Sequence, residues 1–363
     1  MQDSAQQAVA VSLSELEQGV VSFDSLEDAF GPSSLGIIVV KHLPTKFAEL
    51  RAKLLSYASY LANLPAEELS KLESPQSHYL VGWSCGKETL KDGKYDTLKG
   101  SYYVNCASGF DTARADLEKK FPGFPEYTAP NVWPSEAILE AFEATFHELC
   151  DLIIDVAVLV ARACDQYAEA KIDGYKKGYL AHVVKTSVST KARLLHYFPP
   201  SSSSGANTGD VTGNDEDDWC ATHLDHGCLT GLTSAMFIDE SASPPTLSPS
   251  SAVPVLPELP ASPDPRAGLY IRSRTGQTTK VGIPRDCLAF QTGEALERIT
   301  KGKFRAVPHF VRGAALGKGA GGEGMARVAR NTLAVFTQPN LEEEVDEGVT
   351  FAQFAREIVE RNH

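Results

Sequence analysis

The spacing of hydrophobic residues changes near residue 185 and divides the chain into a helical part and a strand-rich part. Apolar residues recur at helical intervals over residues 46–64, and a shorter helix is predicted at 65–72. The same periodicity predicts one long helix over residues 134–170, with Ser135 as its N-cap and an apolar side that includes Phe142 and Val160. Upstream, residues 37–40 predict a buried strand, whereas 75–130, rich in Gly, Tyr and Lys, predict loops and short elements.

After residue 185, short strand-like runs replace the helices. They cover residues 191–200, 222–227, 229–239, 267–273, 286–293, 304–311 and 330–339. Many short strands separated by turn residues are typical of a sandwich or barrel. A sheet rolled on itself encloses a pocket between its faces, where a ligand can bind.

Three segments of biased composition interrupt the strands. Residues 201–218 are polar, 240–265 are dense in Pro and Ser, and 313–326 are rich in Gly. We expect all three to be disordered insertions. The Gly-rich segment lacks the spacing of a phosphate-binding loop. At the end of the chain, residues 351–363 predict an amphipathic helix with Phe351, Phe354 and Ile358 on one side.

Composition and charge narrow the functional class. The 363 residues are 42% hydrophobic and carry a net charge of −13, which is unlike a basic nucleic-acid-binding surface. The 7 Cys are scattered and never spaced CxxC, which argues against a disulfide framework or a zinc ribbon. Residues 149–164 are apolar but contain Asp151, Asp155 and Arg162, so we expect a buried helix and not a membrane span. We expect a cytoplasmic monomer without nucleic-acid or membrane partners.

His223 and Asp225, in "THLDHG", are the first candidates for chemistry. One residue separates them, so a strand would turn both side chains to the same face and His226 to the other. His309, in "AVPHFV", lies in another strand-like segment. Two imidazoles and one carboxylate can form the facial triad that binds non-haem Fe(II). The alternative is a pair of polar residues on a solvated strand face.

Arg330 and Thr332 are the second candidates and share one face of a predicted strand. A planar guanidinium binds a carboxylate through two parallel hydrogen bonds, and a neighbouring hydroxyl can add a third. The alternative is a structural ion pair between Arg330 and an acidic residue. Arg327 is nearby but lacks a hydroxyl two residues further on.

These features, taken in order, resemble one enzyme family. "GIIVVKHLP" and "LPAEELSKL" resemble the N-terminal region of the 2-oxoglutarate- and Fe(II)-dependent dioxygenases of the isopenicillin-N-synthase-like branch. "LLHYFPP" is similar to that family's Asn-x-Tyr-Pro-Pro strand, and "HLDHGCLTGLT" to its His-x-Asp-x-Gly-x-Leu-Thr segment. Gly293 to Leu296 and "RNTLAVFTQP" resemble two further family segments. The resemblance covers about residues 20 to 340.

The resemblance implies a mainly β fold with flanking helices, built on a double-stranded β-helix (a jelly roll, cupin-like). It implies an α/β N-terminal region over 1–130, a supporting long helix within 131–184, the dioxygenase core over 185–340 and a C-terminal helix over 341–363. It implies His223, Asp225 and His309 as ligands of Fe(II). It implies Arg330 and Thr332 as the residues that bind the distal carboxylate of 2-oxoglutarate.

The resemblance also implies an oxidoreductase. This enzyme would hydroxylate, desaturate or cyclise a small organic substrate with O₂ and convert 2-oxoglutarate to succinate and CO₂, with ascorbate as a possible reductant. Two alternatives are an Fe(II) oxidase of the same fold that uses no 2-oxoglutarate, and a non-catalytic binding module.

The "LLHYFPP" segment departs from the family pattern. His196 and Phe198 take the positions of the family's Asn and Tyr, which implies His196 as a further 2-oxoglutarate contact. Strand alternation then turns Tyr197 away from the site. For the primary substrate, the segments around Tyr79, Trp83, Tyr102 and Tyr103 are candidate walls. The alternative is that these aromatic side chains pack the edge of the domain.

Overall fold

A computed structural model describes residues 7–87, 96–199, 220–247, 253–273, 276–312 and 327–362. The predicted insertions at 201–218 and 313–326 lie outside the described residues. The helices within the described ranges are α1 (Leu13–Gln18), α2 (Phe23–Phe30), α3 (Thr45–Ala62), α4 (Ala66–Lys71), α5 (Phe110–Lys120), α6 (Pro125–Thr128), α7 (Phe142–Lys171), α8 (Tyr179–Thr186), α9 (Glu294–Ile299) and α10 (Phe351–Asn362).

The strands of the described chain form two main sheets and one short hairpin. They are β1 (Val9–Ser12), β2 (Ile37–Lys41), β3 (Gly82–Cys85), β4 (Lys99–Asn105), β5 (Lys191–Tyr197), β6 (Cys220–His223), β7 (Leu229–Thr233), β8 (Met236–Asp239), β9 (Gly268–Arg272), β10 (Thr278–Val281), β11 (Leu288–Thr292), β12 (His309–Arg312), β13 (Val328–Thr337), β14 (Glu344–Asp346) and β15 (Val349–Thr350).

The large sheet runs in the order β1-β2-β11-β7-β13-β5-β4-β3, and β8 also pairs with β13. The small sheet runs in the order β10-β9-β12-β6, and β14 pairs with β15. Apart from the parallel pair β1–β2, the paired strands in these sheets are antiparallel. The large and small sheets face each other, and side chains from both line a shared cavity.

The outer face of the large sheet is covered by α3 and α7, which contact β5, β7, β11 and β13. Helix α7 packs closely because β7 has Gly231 where the two elements meet. A Cβ at that position would lie 2.4 Å from Cγ2 of Ile153, so only glycine allows this approach. The predicted apolar side of the helix, from Phe142 to Val160, is buried.

The structure corrects the predicted start of the long helix. The long helix begins at Phe142 and not near Ser135, because Ala141 at its N-cap has a left-handed backbone with φ of 56°. Within residues 75–130, where we expected loops and short elements, β3 and β4 extend the large sheet and α5 follows. The predicted C-terminal helix is confirmed as α10, with Phe351, Phe354 and Ile358 buried.

The Pro- and Ser-rich segment 240–265 was expected to be disordered, and its described residues contradict this. The Leu256 side chain is buried, and its backbone N–H donates to Oγ of Ser56 on α3 at 2.9 Å. Arg51 on α3 binds both carboxylate oxygens of Glu258, at 3.0 and 2.9 Å. Two anchoring side chains therefore hold this segment against α3, despite its composition.

None of the helices within the described residues is long and apolar enough to cross a bilayer.

Candidate metal centre

Two histidines from different strands of the small sheet face each other directly. His223 ends β6 and His309 begins β12, and the register of these antiparallel strands places the two residues opposite one another. Opposite residues of an antiparallel pair project their side chains from the same face. The two imidazole ring centroids are accordingly 4.3 Å apart.

Asp225 completes the group from the loop that follows β6. We predicted that Asp225 lies in the same strand as His223, but β6 ends at His223, and the loop carries Asp225 back toward the two rings. Its Oδ1 lies 3.7 Å from Nε2 of His223 and 3.8 Å from Nε2 of His309. One ligand atom from each of the three residues lies within 4.8 Å of the others, close enough for one ion to contact all three.

The Asp225 carboxylate and backbone are held by neighbouring residues. The Thr230 hydroxyl at Oγ1 donates to Oδ2 of Asp225 at 2.6 Å, which leaves Oδ1 directed at the histidines. The backbone carbonyl of Asp225 accepts from the N–H of Glu294 at the start of α9, at 2.8 Å. Gly293 permits this contact, because a Cβ there would lie 2.2 Å from the carbonyl oxygen of Gly227.

The protonation state of His309 suits a metal ligand. Burial lowers the pKa of His309 to about 4, although the Asp225 carboxylate opposes the shift. The ring is therefore neutral at pH 7. Its Nδ1 lies 3.3 Å from the carbonyl oxygen of Val307, to which an Nδ1–H can donate. That tautomer leaves the lone pair of Nε2 directed at Asp225 and His223.

The three residues border a cavity of about 400 Å³ between the two sheets. Arg330 and Thr332 on β13 line the same cavity, as the sequence predicted. Arg330 is 6% exposed, and its guanidinium carbon lies 4.9 Å above the ring of Tyr197. Much of the remaining wall is apolar and includes Leu195, Leu232, Phe237, Leu269, Val281 and Ile283.

The prediction that His196 contacts a co-substrate is wrong in this structure, because His196 projects from the opposite face of β5. Its Nδ1 bonds to Oδ1 of Asn331 at 2.8 Å, on the side of the sheet away from the cavity. Tyr197, expected to point elsewhere, lines the cavity together with Leu195 and Arg193. The side chains of β5 alternate as predicted, but the residues assigned to its two faces were interchanged, which is the effect of a shift by one residue.

Two other basic residues that were set aside as candidates lie outside the group. Nδ1 of His226 bonds to Oε2 of Glu294 at 2.8 Å. His226 does not line the cavity, as we predicted from its position on the other face of the strand. Arg327 borders a separate cavity near the end of α3, with Tyr60 and Glu240.

Of the aromatic residues proposed as substrate walls, Trp83, Tyr102 and Tyr103 take the alternative role. Trp83 and Tyr102 are buried, and Tyr102 packs against Trp133, Phe142 and Phe146. The side chain of Tyr103 lies under the guanidinium of Arg193, 4.9 Å from ring centroid to Cζ.

Thr230 and Arg193 were not predicted as site residues from the sequence. Thr230 stands in the quoted "HLDHGCLTGLT" segment, so its hydroxyl was a visible candidate for orienting the carboxylate. Arg193 lines the cavity from β5, and Ser101 Oγ accepts from its Nε at 3.0 Å and its Nη2 at 2.8 Å. Its signal was the shared strand face with Leu195 and Tyr197, which lie two and four residues further on.

Comparisons of sequence find no counterpart: no family model matches the chain, and no curated protein matches it. Comparisons of structure, in contrast, find similar proteins. A Caulobacter crescentus protein assigned to the 2OG-Fe(II) oxygenase family is 19% identical with a TM-score of 0.64, over 98% of this chain and 99% of that one. A full-length Neurospora crassa protein in complex with α-ketoglutarate is 18% identical with a TM-score of 0.59, over 95% of this chain and 89% of that one.

A third similar structure is JOX2 in complex with 2OG, Fe and JA. It is 13% identical with a TM-score of 0.57, over 99% of this chain and 87% of that one. These matches, together with the two facing sheets and flanking helices, confirm the predicted fold class. The chain has the double-stranded β-helix fold of the 2-oxoglutarate- and Fe(II)-dependent oxygenases.

Proposed function

We propose that the protein is an Fe(II)- and 2-oxoglutarate-dependent oxygenase that oxidises a small organic substrate with O₂, giving succinate and CO₂. The observation that carries this proposal is the convergence of His223, Asp225 and His309 on the same cavity that Arg330 and Thr332 line. The fold is one in which such enzymes occur, and similar structures contain α-ketoglutarate or 2OG with Fe.

The three proposed ligands fit Fe(II). Two neutral imidazoles and one carboxylate are the donor set of the facial triad, which leaves positions on the ion open for other ligands. When bound, the iron supplies the site at which 2-oxoglutarate and O₂ react. Thr230 keeps the Asp225 carboxylate in place, and the buried Nδ1 side of His309 keeps that ring oriented.

Arg330 and Thr332 are proposed to bind the distal carboxylate of 2-oxoglutarate. Both side chains project from the cavity face of β13, two residues apart, so the guanidinium and the hydroxyl can reach one anion. The guanidinium is oriented by the Tyr197 ring beneath it. Burial strengthens a charge-assisted hydrogen bond between this guanidinium and a carboxylate.

The rest of the cavity supports a small-molecule substrate. A volume of about 400 Å³ lies in the range of small-ligand sites. The apolar walls suit the apolar parts of a small substrate, and Arg193 adds a polar contact held in place by Ser101.

The test is an anaerobic titration of Fe(II)-loaded protein with 2-oxoglutarate, followed by the weak visible charge-transfer band of the complex. We expect the band in the wild type and its loss in His309→Ala. In Arg330→Ala, the 2-oxoglutarate concentration that gives half of the maximal band should rise strongly. Two matched controls, His226→Ala and Arg327→Ala, should leave the titration unchanged.

Two other outcomes of the titration would favour a different function. Iron binding without a band would contradict the use of 2-oxoglutarate and favour an oxidase of the same fold. No iron binding would contradict the enzyme proposal and favour a non-catalytic module. A parallel titration with Zn(II) in place of Fe(II) should give no band, which ties the signal to iron.

A further inference from the structure

A buried polar cluster lies behind the cavity wall, on the face of the large sheet that packs against α3. It joins His196 on β5, Asn331 on β13, Ser59 on α3 and Glu240, which follows β8. All four are at most 5% exposed. Polar groups at this depth cost free energy unless they are hydrogen-bonded, so their arrangement is tightly constrained.

Asn331 is the centre of the cluster. Its side-chain Nδ2 donates to the backbone carbonyl of Leu55 at 2.7 Å and to Oγ of Ser59 at 2.8 Å. With the amide nitrogen thus oriented, Oδ1 accepts from Nδ1–H of His196 at 2.8 Å, which fixes the tautomer of the ring. One side chain therefore ties β13 to both β5 and α3.

Glu240 closes the far side of the cluster. Its Oε1 lies 3.9 Å from Nε2 of His196. Burial raises the pKa of Glu240, and burial lowers the pKa of His196 to about 4. The cluster is therefore built from groups that favour their uncharged forms, which suits a fixed support better than a site for an ion.

The strand register connects this cluster to the cavity. Asn331 pairs with His196, and the next pair along the same two strands is Arg330 with Tyr197. Since side chains alternate, one pair faces the helix and the other faces the cavity, where the Arg330 guanidinium lies over the Tyr197 ring. Asn331 also stands directly between Arg330 and Thr332 in the chain.

We propose that His196 and Asn331 are positioning residues for the 2-oxoglutarate-binding pair Arg330 and Thr332, acting from the opposite face of the sheet. This inference rests on the proposed function. By holding β13 against β5 and α3, the cluster sets how far both side chains project into the cavity. Sites that bind through directed hydrogen bonds lose affinity when their support shifts by a fraction of an ångström.

The test compares variants that break the cluster with one that keeps its key donor. His196→Leu removes the Nδ1–H donor, whereas His196→Asn places an amide N–H near the same position. Ser59→Ala removes one bond to Asn331 and leaves a good helix-forming residue in α3, so it keeps the experiment informative if His196→Leu does not fold. Val335→Ala is the matched control, since it shortens a fully buried side chain on the same helix-facing side of β13.

The readouts are the dissociation constants of Fe(II) and of 2-oxoglutarate, the second from the anaerobic charge-transfer titration, and the thermal midpoint of each variant. We expect His196→Leu to weaken 2-oxoglutarate binding about tenfold, as losses of outer supporting contacts do. Ser59→Ala should weaken it about threefold. His196→Asn should restore most of the affinity, and Fe(II) binding should change less than about twofold in all of them.

A role confined to stability gives a different result. Val335→Ala should lower the thermal midpoint without changing 2-oxoglutarate affinity. If His196→Leu behaves in the same way, the positioning role is wrong. If the wild type itself binds iron but not 2-oxoglutarate, the proposed function fails instead, and the two failures are thereby distinguished.

Discussion

The hydrogen bond from Thr230 to Asp225 gives the sharpest single test of the metal centre. The Thr230 hydroxyl donates to Oδ2 of Asp225 at 2.6 Å, and both residues are buried. Thr230→Val removes the hydroxyl and keeps the branched shape. A buried carboxylate oxygen then loses its donor, and the carboxylate is free to rotate away from the two histidines.

The magnitude follows from the charge on the acceptor. A hydrogen bond to a charged group contributes about 1.5–3 kcal/mol. Since about 1.4 kcal/mol corresponds to a factor of ten in an equilibrium constant, Thr230→Val should weaken Fe(II) binding about 10- to 100-fold. The measurement is an anaerobic competition titration of Fe(II) between the protein and a chelator of known affinity.

Thr233→Val is the matched control, on the same strand and equally buried. Its Oγ1 accepts from the backbone N–H of Leu333 at 3.1 Å, so the variant loses a hydrogen bond without touching the proposed ligands. Thr233→Val should lower stability and leave Fe(II) affinity unchanged. Equal Fe(II) affinities for the two variants would refute the argument that Thr230 positions the Asp225 carboxylate.

Three further predictions test the support of the site. Arg51→Met removes the ion pair with Glu258 and the hydrogen bonds to the carbonyls of Ser234 and Ala235, and it should lower the free energy of unfolding by about 3 kcal/mol in urea titrations. A change below about 1 kcal/mol would mean that Arg51 does not anchor segment 240–265. Gly293→Ala should abolish Fe(II) binding, because its Cβ would meet the Gly227 carbonyl beside Asp225, whereas Gly282→Ala, with open space around it, should bind normally. Because the folded-state pKa of His196 is about 4, below the ordinary 6.5, the unfolded chain binds the extra proton between these values. The contribution of His196 to stability is therefore complete above pH 6.5 and is lost as the pH falls, by about 3 kcal/mol at pH 4. The difference in unfolding free energy between wild type and His196→Asn, measured from pH 7 to pH 4, should show this loss, and a constant difference would contradict it.

The sequence was most informative where chemistry depends on residue type. His223, Asp225 and His309 are the right donors for one ion, and the structure brings them to one cavity with Arg330 and Thr332. Their roles stay predictions until iron and 2-oxoglutarate binding are measured. Strand periodicity correctly located most of the strands from residue 191 onward, because half-buried strands alternate and turn residues separate them.

The sequence was least informative about which face a strand presents. His196 and Tyr197 were assigned to the wrong sides because a shift of one residue reverses every side chain, and the correct phase depends on pairing with β13. Composition also misjudged segment 240–265, because two side chains, Leu256 and Glu258, anchor it against α3. Average polarity does not reveal such isolated anchors.

The pairing of His223 with His309 has a consequence for how the chain unfolds. Within the described residues, β6 pairs only with β12, so it is an edge strand of the small sheet. An ion held by both histidines and Asp225 would cross-link two segments that are distant in the chain, and the unfolded chain would have to close a long loop to bind it. Metal binding should therefore favour the native state by mass action. We expect the backbone amides of β6 to exchange with solvent fastest in metal-free protein and to become protected as Fe(II) is added.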